Sequence, residues 1–297
     1  MEFKNNFYLP PMAKENSIDG IPNPSLIDYY EEMANKGFGL IVLEHAYVDV
    51  RGKASPKQMS IDENYDEKTL TEIRKVIQKH EVKAIMQIAH GGRNSKGSEI
   101  KFGASEEEGV LELSVEDIKE LEEKFLQSAI RVKNMGYDAV EIHSAHGYLL
   151  NQFFSPVTNK RNDEYGGSLE NRLRFLIEIL EKIKNEMPDY PVFVRLGACD
   201  YVEGGNVIED AVKASKILEK YIDYIDISGG ITGFLKHSEN ELGYFTSEAK
   251  KVKDETNLKV LMAGGIKSRE EAQKLLDEKS CDMVGIGRAA LRKDFKL

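Results

Sequence analysis

The stretch that decides the reading is Asp138–Arg172, DAVEIHSAHGYLLNQFFSPVTNKRNDEYGGSLENR. It begins as an apolar run carrying Ala139, Val140 and Ile142, then sets His143, His146 and Tyr148 within six residues. A long polar loop follows, and Ser168 opens a segment of helical period. A strand that stops in a cluster of proton-capable side chains marks the mouth of an α/β site. The neighbouring segments must show what those side chains face.

Outward from this stretch the chain alternates short β-rich runs with helical-period segments. Strands are expected over Phe7–Ala13, Leu40–Val48, Val82–Ala89, Pro191–Gly197, Tyr224–Ser228, Leu258–Ala263 and Asp282–Ile286, with the opening stretch as the fourth. The Leu40–Val48 run, LIVLEHAYV, is nearly all apolar, as a strand covered on both faces should be. Helices are expected over Ser25–Lys36, Asp66–His80, Ser114–Met135, Leu169–Met187, Ile208–Leu218, Ser247–Thr256 and Ser268–Asp277. Ser25 reads as the first N-cap, and Ser114 with Asp117 as a capping box. Gly136 is placed to end the long third helix. Eight evenly spaced strand–helix units predict a single α/β domain over 1–297, a (β/α)8 TIM barrel. A doubly wound open sheet is the competitor, but no G-x-G-x-x-G opens a helix here. After Gly287 only ten residues, RAALRKDFKL, remain, so the eighth helix is expected to be short or incomplete. An uncovered barrel flank would favour association into a homo-oligomer.

Composition removes other classes. At 297 residues, 41% hydrophobic and 31% charged, the chain can bury a large core. No apolar run nears the ~20 residues of a membrane span, and the N-terminus MEFKNNFYLPPM lacks a signal-peptide pattern. A net charge of −10 argues against nucleic acid or an anionic membrane as partner. Cys199 and Cys281 form neither a CxxC pair nor a disulfide framework, so a reducing cytoplasm is the expected location.

In a barrel of this kind the chemistry sits at the C-terminal ends of the strands. Those ends carry Pro11-Met12-Ala13, Glu44-His45, Gln87 with His90, His143-His146-Tyr148, Arg195, Ser228-Gly229-Gly230, Gly264-Gly265 and Gly287-Arg288. One glycine pair after a strand is ordinarily turn chemistry. Glycines at the last two strand ends, with Arg288 beside them, point instead to a phosphate, because bare N–H groups can approach an anion. Arg195 lies in an apolar strand and demands an anionic partner, either Glu44 or a ligand group. Gln87, inward-facing, needs donors and acceptors in kind. The main rival is a zinc site for a hydrolase or lyase, in which His143 and His146, at i, i+3, are joined by His90 and Glu141; Glu141 points to the opposite face from Ile142, and no further carboxylate stands ready to orient the imidazoles. Arg161, Asp163, Glu164, Glu170, Arg172 and Arg174 read as a self-paired loop scaffold.

The block EIHSAHGYLLNQFFSPVTNKRNDEYGGSLENR closely resembles the old yellow enzyme family of FMN-dependent ene-reductases and NADH:flavin oxidoreductases. PPMA, QIAHGGR, FVRLGA, SGG, AGGI and GIGRA occur in the family's order, so the resemblance covers essentially the whole chain. It implies one FMN across the barrel mouth and NADH or NADPH as reductant. Pro11, Met12 and Ala13 would line one flavin edge, Gln87 would bond the pyrimidine portion, and Arg195 would face N1. Gly264, Gly265, Gly287 and Arg288 would hold the phosphate. His143 and His146 would bind the activating oxygen of a small-molecule electron acceptor, an enone or quinone, and Tyr148 would protonate its α-carbon. The pattern departs from many relatives at Ala13, where Cys or Thr is common, and at His45, which would crowd or hydrogen-bond the flavin edge. Lys14 and Glu15 do not match an aromatic contact of some relatives, and Asn94–Glu112 is shorter than the usual capping region. A flavin-binding subunit without catalysis is the remaining alternative.

Overall fold

The computed structural model describes residues 1–233, 235–238 and 241–297. In chain order it contains β1 (Phe7–Leu9), the hairpin β2 (Ser17–Ile18) and β3 (Ile21–Pro22), α1 (Ser25–Asn35), β4 (Leu40–Tyr47), α2 (Glu67–Gln78) and β5 (Lys83–Ala89). There follow β6 (Lys101–Gly103), β7 (Val110–Glu112), α3 (Val115–Asn134), β8 (Ala139–Ser144), α4 (Leu149–Phe154), α5 (Leu169–Glu186) and β9 (Val192–Cys199). The chain ends with α6 (Ile208–Leu218), β10 (Tyr224–Gly229), α7 (Thr246–Glu255), β11 (Lys259–Ala263), α8 (Arg269–Asp277) and β12 (Met283–Gly285). The strands close in the order β1-β12-β11-β10-β9-β8-β5-β4, all parallel. This is the (β/α)8 barrel that the sequence predicts.

The two-residue period of each strand sorts its side chains. Outward residues such as Ile41, Leu43, Val140, Ile142, Val194 and Ile225 join the shell packed on the helices. Inward residues Tyr8, Leu40, Val42, Ile85, Ala139, Phe193, Tyr224, Leu261 and Met283 form a separate apolar plug. Phe193 and Tyr224 stack within it at 4.2 Å. Two residues further along their strands come Gln87, Glu141, Arg195 and Asp226, all buried. The barrel thus carries an apolar floor and a polar belt above it.

Local chemistry sets the element ends. Ser114 Oγ accepts from Asp117 N at 3.0 Å and Asp117 Oδ2 accepts from Ser114 N at 3.1 Å, the reciprocal box expected for α3. Gly136 follows the helix in the left-handed region, at φ +84°. Two expectations change. The first strand stops at Leu9, because Pro10 and Pro11 have no N–H to donate to a ladder, so Pro11-Met12-Ala13 is loop. Ser25 is the first residue of α1 and Pro24 is its cap, with φ −53° that suits a helix start. The eighth unit holds a single 3-10 turn, Arg288–Leu291, which is the short, incomplete eighth helix expected.

The last residues nevertheless cover the barrel where β12 meets β1. Phe295 stacks on Phe38 at 6.2 Å, and Leu297 N donates to Lys36 O at 2.9 Å. Outward-facing Phe7, Val284 and Ile286 are buried by 95% or more in the single chain. The uncovered flank that motivated the expectation of association is therefore absent among the described residues. No described helix is long and apolar enough to cross a membrane.

Candidate active site

The site begins where β8 ends. Glu141 and His143 point into the barrel, and the chain then turns through His146 (φ +59°) and Gly147 (φ +72°). A side-chain-bearing residue in the left-handed region is strained by roughly 1–2 kcal/mol, so the surroundings must hold it. His146 N donates to Gly229 O at 3.0 Å, and Gly147 O accepts from Asn94 Nδ2 (2.8 Å) and Gln152 Nε2 (2.6 Å). Tyr148 takes the cap position of α4 and leaves its ring at the mouth. The three rings converge, with His143 5.1 Å from His146 and 4.8 Å from Tyr148.

Burial, aided by Arg195 and by neighbouring imidazoles, holds both His143 and His146 well below the usual imidazole range, so both are neutral. Ser228 Oγ lies 2.7 Å from His146 Nε2 and accepts from Arg195 Nη2 at 3.4 Å. The serine oxygen can accept from the arginine and still either donate to Nε2 or accept from it, so the His146 tautomer sets the direction of that bond. His143 Nδ1 is buried and has no hydrogen-bond partner among the described residues. Burial, with Glu15 nearby, pushes the Tyr148 phenol up to about 12, so it keeps its proton at neutral pH.

Beneath the trio, the polar belt fixes Arg195. Its Nε lies 3.3 Å from Asp226 Oδ2, out of hydrogen-bonding line, while Asp226 Oδ1 accepts from Tyr8 OH at 2.9 Å. Burial alone would weaken the guanidinium's charge, but Asp226 and Glu141 outweigh it. Glu141 is pushed up to about 8 by burial and by Asp226, and its Oε1 accepts from Gln87 Nε2 at 2.7 Å. The expectation of Glu44 as the partner of Arg195 is thereby corrected. Glu44 instead accepts from Lys14 N (2.8 Å) and Glu15 N (3.3 Å), pinning the loop after β1. The strand bulge between Leu43 and Ala46 takes Glu44 out of the simple inward–outward alternation. Asp226 was visible as the lone acid in YIDIS, between Ile225 and Ile227, but its inward aim follows only from the register.

The glycine end closes the cavity. Gly264 (φ +155°) and Gly265 (φ +68°) both adopt backbone conformations that side-chain-bearing residues avoid. A Cβ at Gly264 would sit 2.5 Å from Tyr244 Cε2, and one at Gly265 would overlap the carbonyl of Glu241. Lys267, Arg288 and Arg292 line this end. Lys267 and Arg292 were not singled out from the sequence, although Arg288 and Arg292 stand one helical turn apart.

All thirteen residues singled out for the site line one cavity of about 550 Å³, joined by Ser228, Tyr244 and Phe245. His45 is among them, but its ring is tied to protein: Nδ1 lies 2.6 Å from Gln58 Nε2 and Nε2 lies 3.5 Å from Tyr148 OH. His90 does not reach the cavity; it is buried, and its Nδ1 accepts from Gly92 N at 3.1 Å. The zinc reading thereby loses His90 as a ligand, and Glu141 is engaged by Gln87. Among the described residues no group of three His, Cys, Asp or Glu side chains is arranged to hold a metal. The charged loop is scaffold: Arg161 pairs with Asp163 and bonds the carbonyls of Ala104 and Leu113, and Arg172 bonds Phe154 O.

These residues fit a flavin nucleotide. The two glycines leave a cradle that a Cβ would fill, beside three cations, as a phosphate requires. The buried Arg195 guanidinium hydrogen-bonds only Ser228 among the described residues and keeps further donors for an electron-rich ring edge.

The sequence profile of the NADH:flavin oxidoreductase / NADH oxidase family matches residues 1–296. An NADPH dehydrogenase of Halalkalibacterium halodurans is 36% identical over 98% of this chain and 88% of its own length. An NADH oxidase of Thermoanaerobacter brockii is 35% identical over 97% of this chain, which spans only 47% of that protein. Among solved structures, a 2-naphthoyl-CoA reductase complex superposes with a TM-score of 0.86 at 28% identity, covering 96% of this chain and 48% of that one. The class is thus that of the NAD(P)H-dependent flavin oxidoreductases, with FMN as cofactor. More narrowly, the chain belongs to the NADH:flavin oxidoreductase / NADH oxidase family, the old yellow enzyme group indicated by its histidine–tyrosine block.

Proposed function

We propose that this enzyme passes electrons from NADH or NADPH to an electron-poor alkene such as an enone, with Tyr148 as the proton donor. The observation that carries the reading is the convergence of His143, His146 and Tyr148 on the cavity that also holds the glycine cradle and Arg195. Bound FMN would accept the reducing equivalents from the nicotinamide and deliver them to the β-carbon of the acceptor. Pro11, Met12, Ala13 and Gln87 would border its ring system, Arg195 would balance negative charge there, and Gly264, Gly265, Gly287 and Arg288 would hold its phosphate.

The remaining chemistry belongs to side chains. As the β-carbon is reduced, negative charge develops on the activating oxygen. Neutral His143 and His146 are N–H donors that need no reorganisation to meet it, and such a donor is worth about 10²–10³ in rate. Tyr148, protonated at neutral pH, would give its hydroxyl proton to the α-carbon, a step worth about 10²–10⁴. The structural charges in the 161–174 loop take no part.

The test is reoxidation of NADPH-reduced enzyme by 2-cyclohexenone under anaerobic conditions, followed at the flavin absorbance. Saturated ketone should form, and Tyr148→Phe should slow this half-reaction by about 10²-fold or more while reduction by NADPH stays fast. Failure of a panel of enones to reoxidise the flavin, when quinones or dioxygen do so, would refute the alkene assignment.

A further inference from the structure

The geometry points to His45 as a positioning residue that aims the Tyr148 proton at the substrate and supports the phenolate left behind, through a hydrogen-bond chain that starts at Gln58. This inference rests on Tyr148 as proton donor.

The chain can be read one atom at a time. Gln58 is buried, and its Oε1 accepts from Ala54 N at 2.6 Å. A backbone N–H can only donate, so the amide orientation is fixed and Nε2 must face His45. Nε2 has two hydrogens. One goes to His45 O at 3.2 Å and the other to His45 Nδ1 at 2.6 Å. Nδ1 is therefore the acceptor nitrogen, and a neutral imidazole then carries its hydrogen on Nε2. Burial, reinforced by Arg195 and opposed by Glu15, pushes His45 down to about 4, so the ring is neutral at pH 7.

Nε2 lies 3.5 Å from the Tyr148 hydroxyl, with the two rings edge-on at 84°. Its N–H can only donate to the phenol oxygen. Tyr148 cannot then give its own hydrogen to His45, and that hydrogen is left for the cavity. When the O–H bond breaks and a C–H bond forms at the α-carbon, the electron pair stays on the phenol oxygen. The Nε2–H bond to that oxygen strengthens as charge appears on it, which favours the charged form. A solvent proton entering by the cavity mouth restores the phenol. With the opposite tautomer, Tyr148 would donate to His45 and its proton would be misdirected.

His45→Ala and Gln58→Glu test the chain. The glutamate keeps the size of the side chain and the acceptor for Ala54 N, but its ionised carboxylate turns the donor toward Nδ1 into an acceptor. Each variant should slow enone reoxidation at saturating enone by about 10–100-fold, the worth of a hydrogen bond to a charged group. In a Tyr148→Phe background each should change the rate by less than about 2-fold, because coupled residues are non-additive. Flavin content and reduction by NADPH in the same preparations report folding. Nitrogen-15 spectra of histidine-labelled enzyme should show His45 hydrogenated at Nε2 in the parent and at Nδ1 in Gln58→Glu, a readout that mere packing would not move. Parent enzyme hydrogenated at Nδ1, or Gln58→Glu reoxidising at the parent rate while Tyr148→Phe is slow, overturns the inference alone. Tyr148→Phe at the parent rate overturns the assignment of the proton donor and the inference with it.

Discussion

Arg195→Met removes the charge that stands between Asp226 and Glu141 and keeps an unbranched chain to fill the space. Asp226 is wholly buried; it retains the Tyr8 hydroxyl at 2.9 Å but loses the guanidinium at 3.3 Å. Removing one partner of a buried ion pair costs about 3–5 kcal/mol, because the survivor is stranded without solvent. The cost depends on pH, with a definite sign. Burial already raises the Asp226 pKa above its ordinary value, and only Arg195 and the Tyr8 hydrogen bond oppose it. Without Arg195 it rises further, so the variant is least stable at alkaline pH and recovers as pH falls through the folded value. Urea unfolding of flavin-free protein isolates this term from any loss of FMN binding. Adding Asp226→Asn removes the stranded charge and keeps an acceptor for Tyr8. The double variant should therefore be more stable than Arg195→Met alone, by about 1–3 kcal/mol. A single-variant loss under about 1 kcal/mol, or a double variant showing the two losses simply added, would refute the pairing argument.

Two further outcomes follow from the backbone. Gly265→Ala forces a Cβ onto the Glu241 carbonyl at φ +68°, so stability should fall by at least about 1 kcal/mol and FMN affinity by about 10-fold or more. Fluorescence titration with FMN and riboflavin separates the contributions, since riboflavin lacks the phosphate and should lose less; equal losses would place the phosphate elsewhere. Ser114→Ala removes the hydroxyl half of the α3 capping box, leaving the backbone N–H of residue 114 to donate to Asp117, and should cost about 1 kcal/mol, lowering the melting temperature by roughly 2 °C without changing turnover. An unchanged melting temperature would show that the box adds nothing in this context.

What the sequence reveals and conceals divides along physical lines. The barrel was legible because alternation, apolar runs and capping residues are local, and Ser114, Gly136 and the Gly264-Gly265 pair each act within a few positions. The cavity lining was legible for a related reason: in a parallel barrel every strand end reaches the same mouth. Partnerships across the barrel were not legible. Arg195 meets Asp226 through the β9–β10 register, in which the two are direct neighbours, and no spacing rule supplies that pairing. Glu44 stayed open as a partner of Arg195, because a bulge in β4 between Leu43 and Ala46 leaves no local pattern to announce it. The cover over β1 and β12 was invisible because it comes from irregular chain, Phe295 against Phe38, with no periodicity to detect.

The polar belt leads to a last, separable prediction. Arg195 and Asp226 balance each other, so an ionised Glu141 would leave the belt with one surplus negative charge away from water. Burial, then Asp226, raises its pKa to about 8, so it is mainly protonated at neutral pH. A carboxyl raised in the folded state contributes stability that is full below its unfolded value and is lost as pH rises through the folded one. The parent enzyme should thus weaken steadily between about pH 4.5 and about pH 8 through this group. Glu141→Gln keeps an amide partner for Gln87 and removes the titration, so its urea midpoint should fall less than the parent's over that interval. In either protonation state a carboxyl oxygen remains to accept from Gln87 Nε2, as Oε1 does at 2.7 Å. Parallel stability profiles for parent and Glu141→Gln would mean that Glu141 stays ionised across that interval, and would refute the raised pKa.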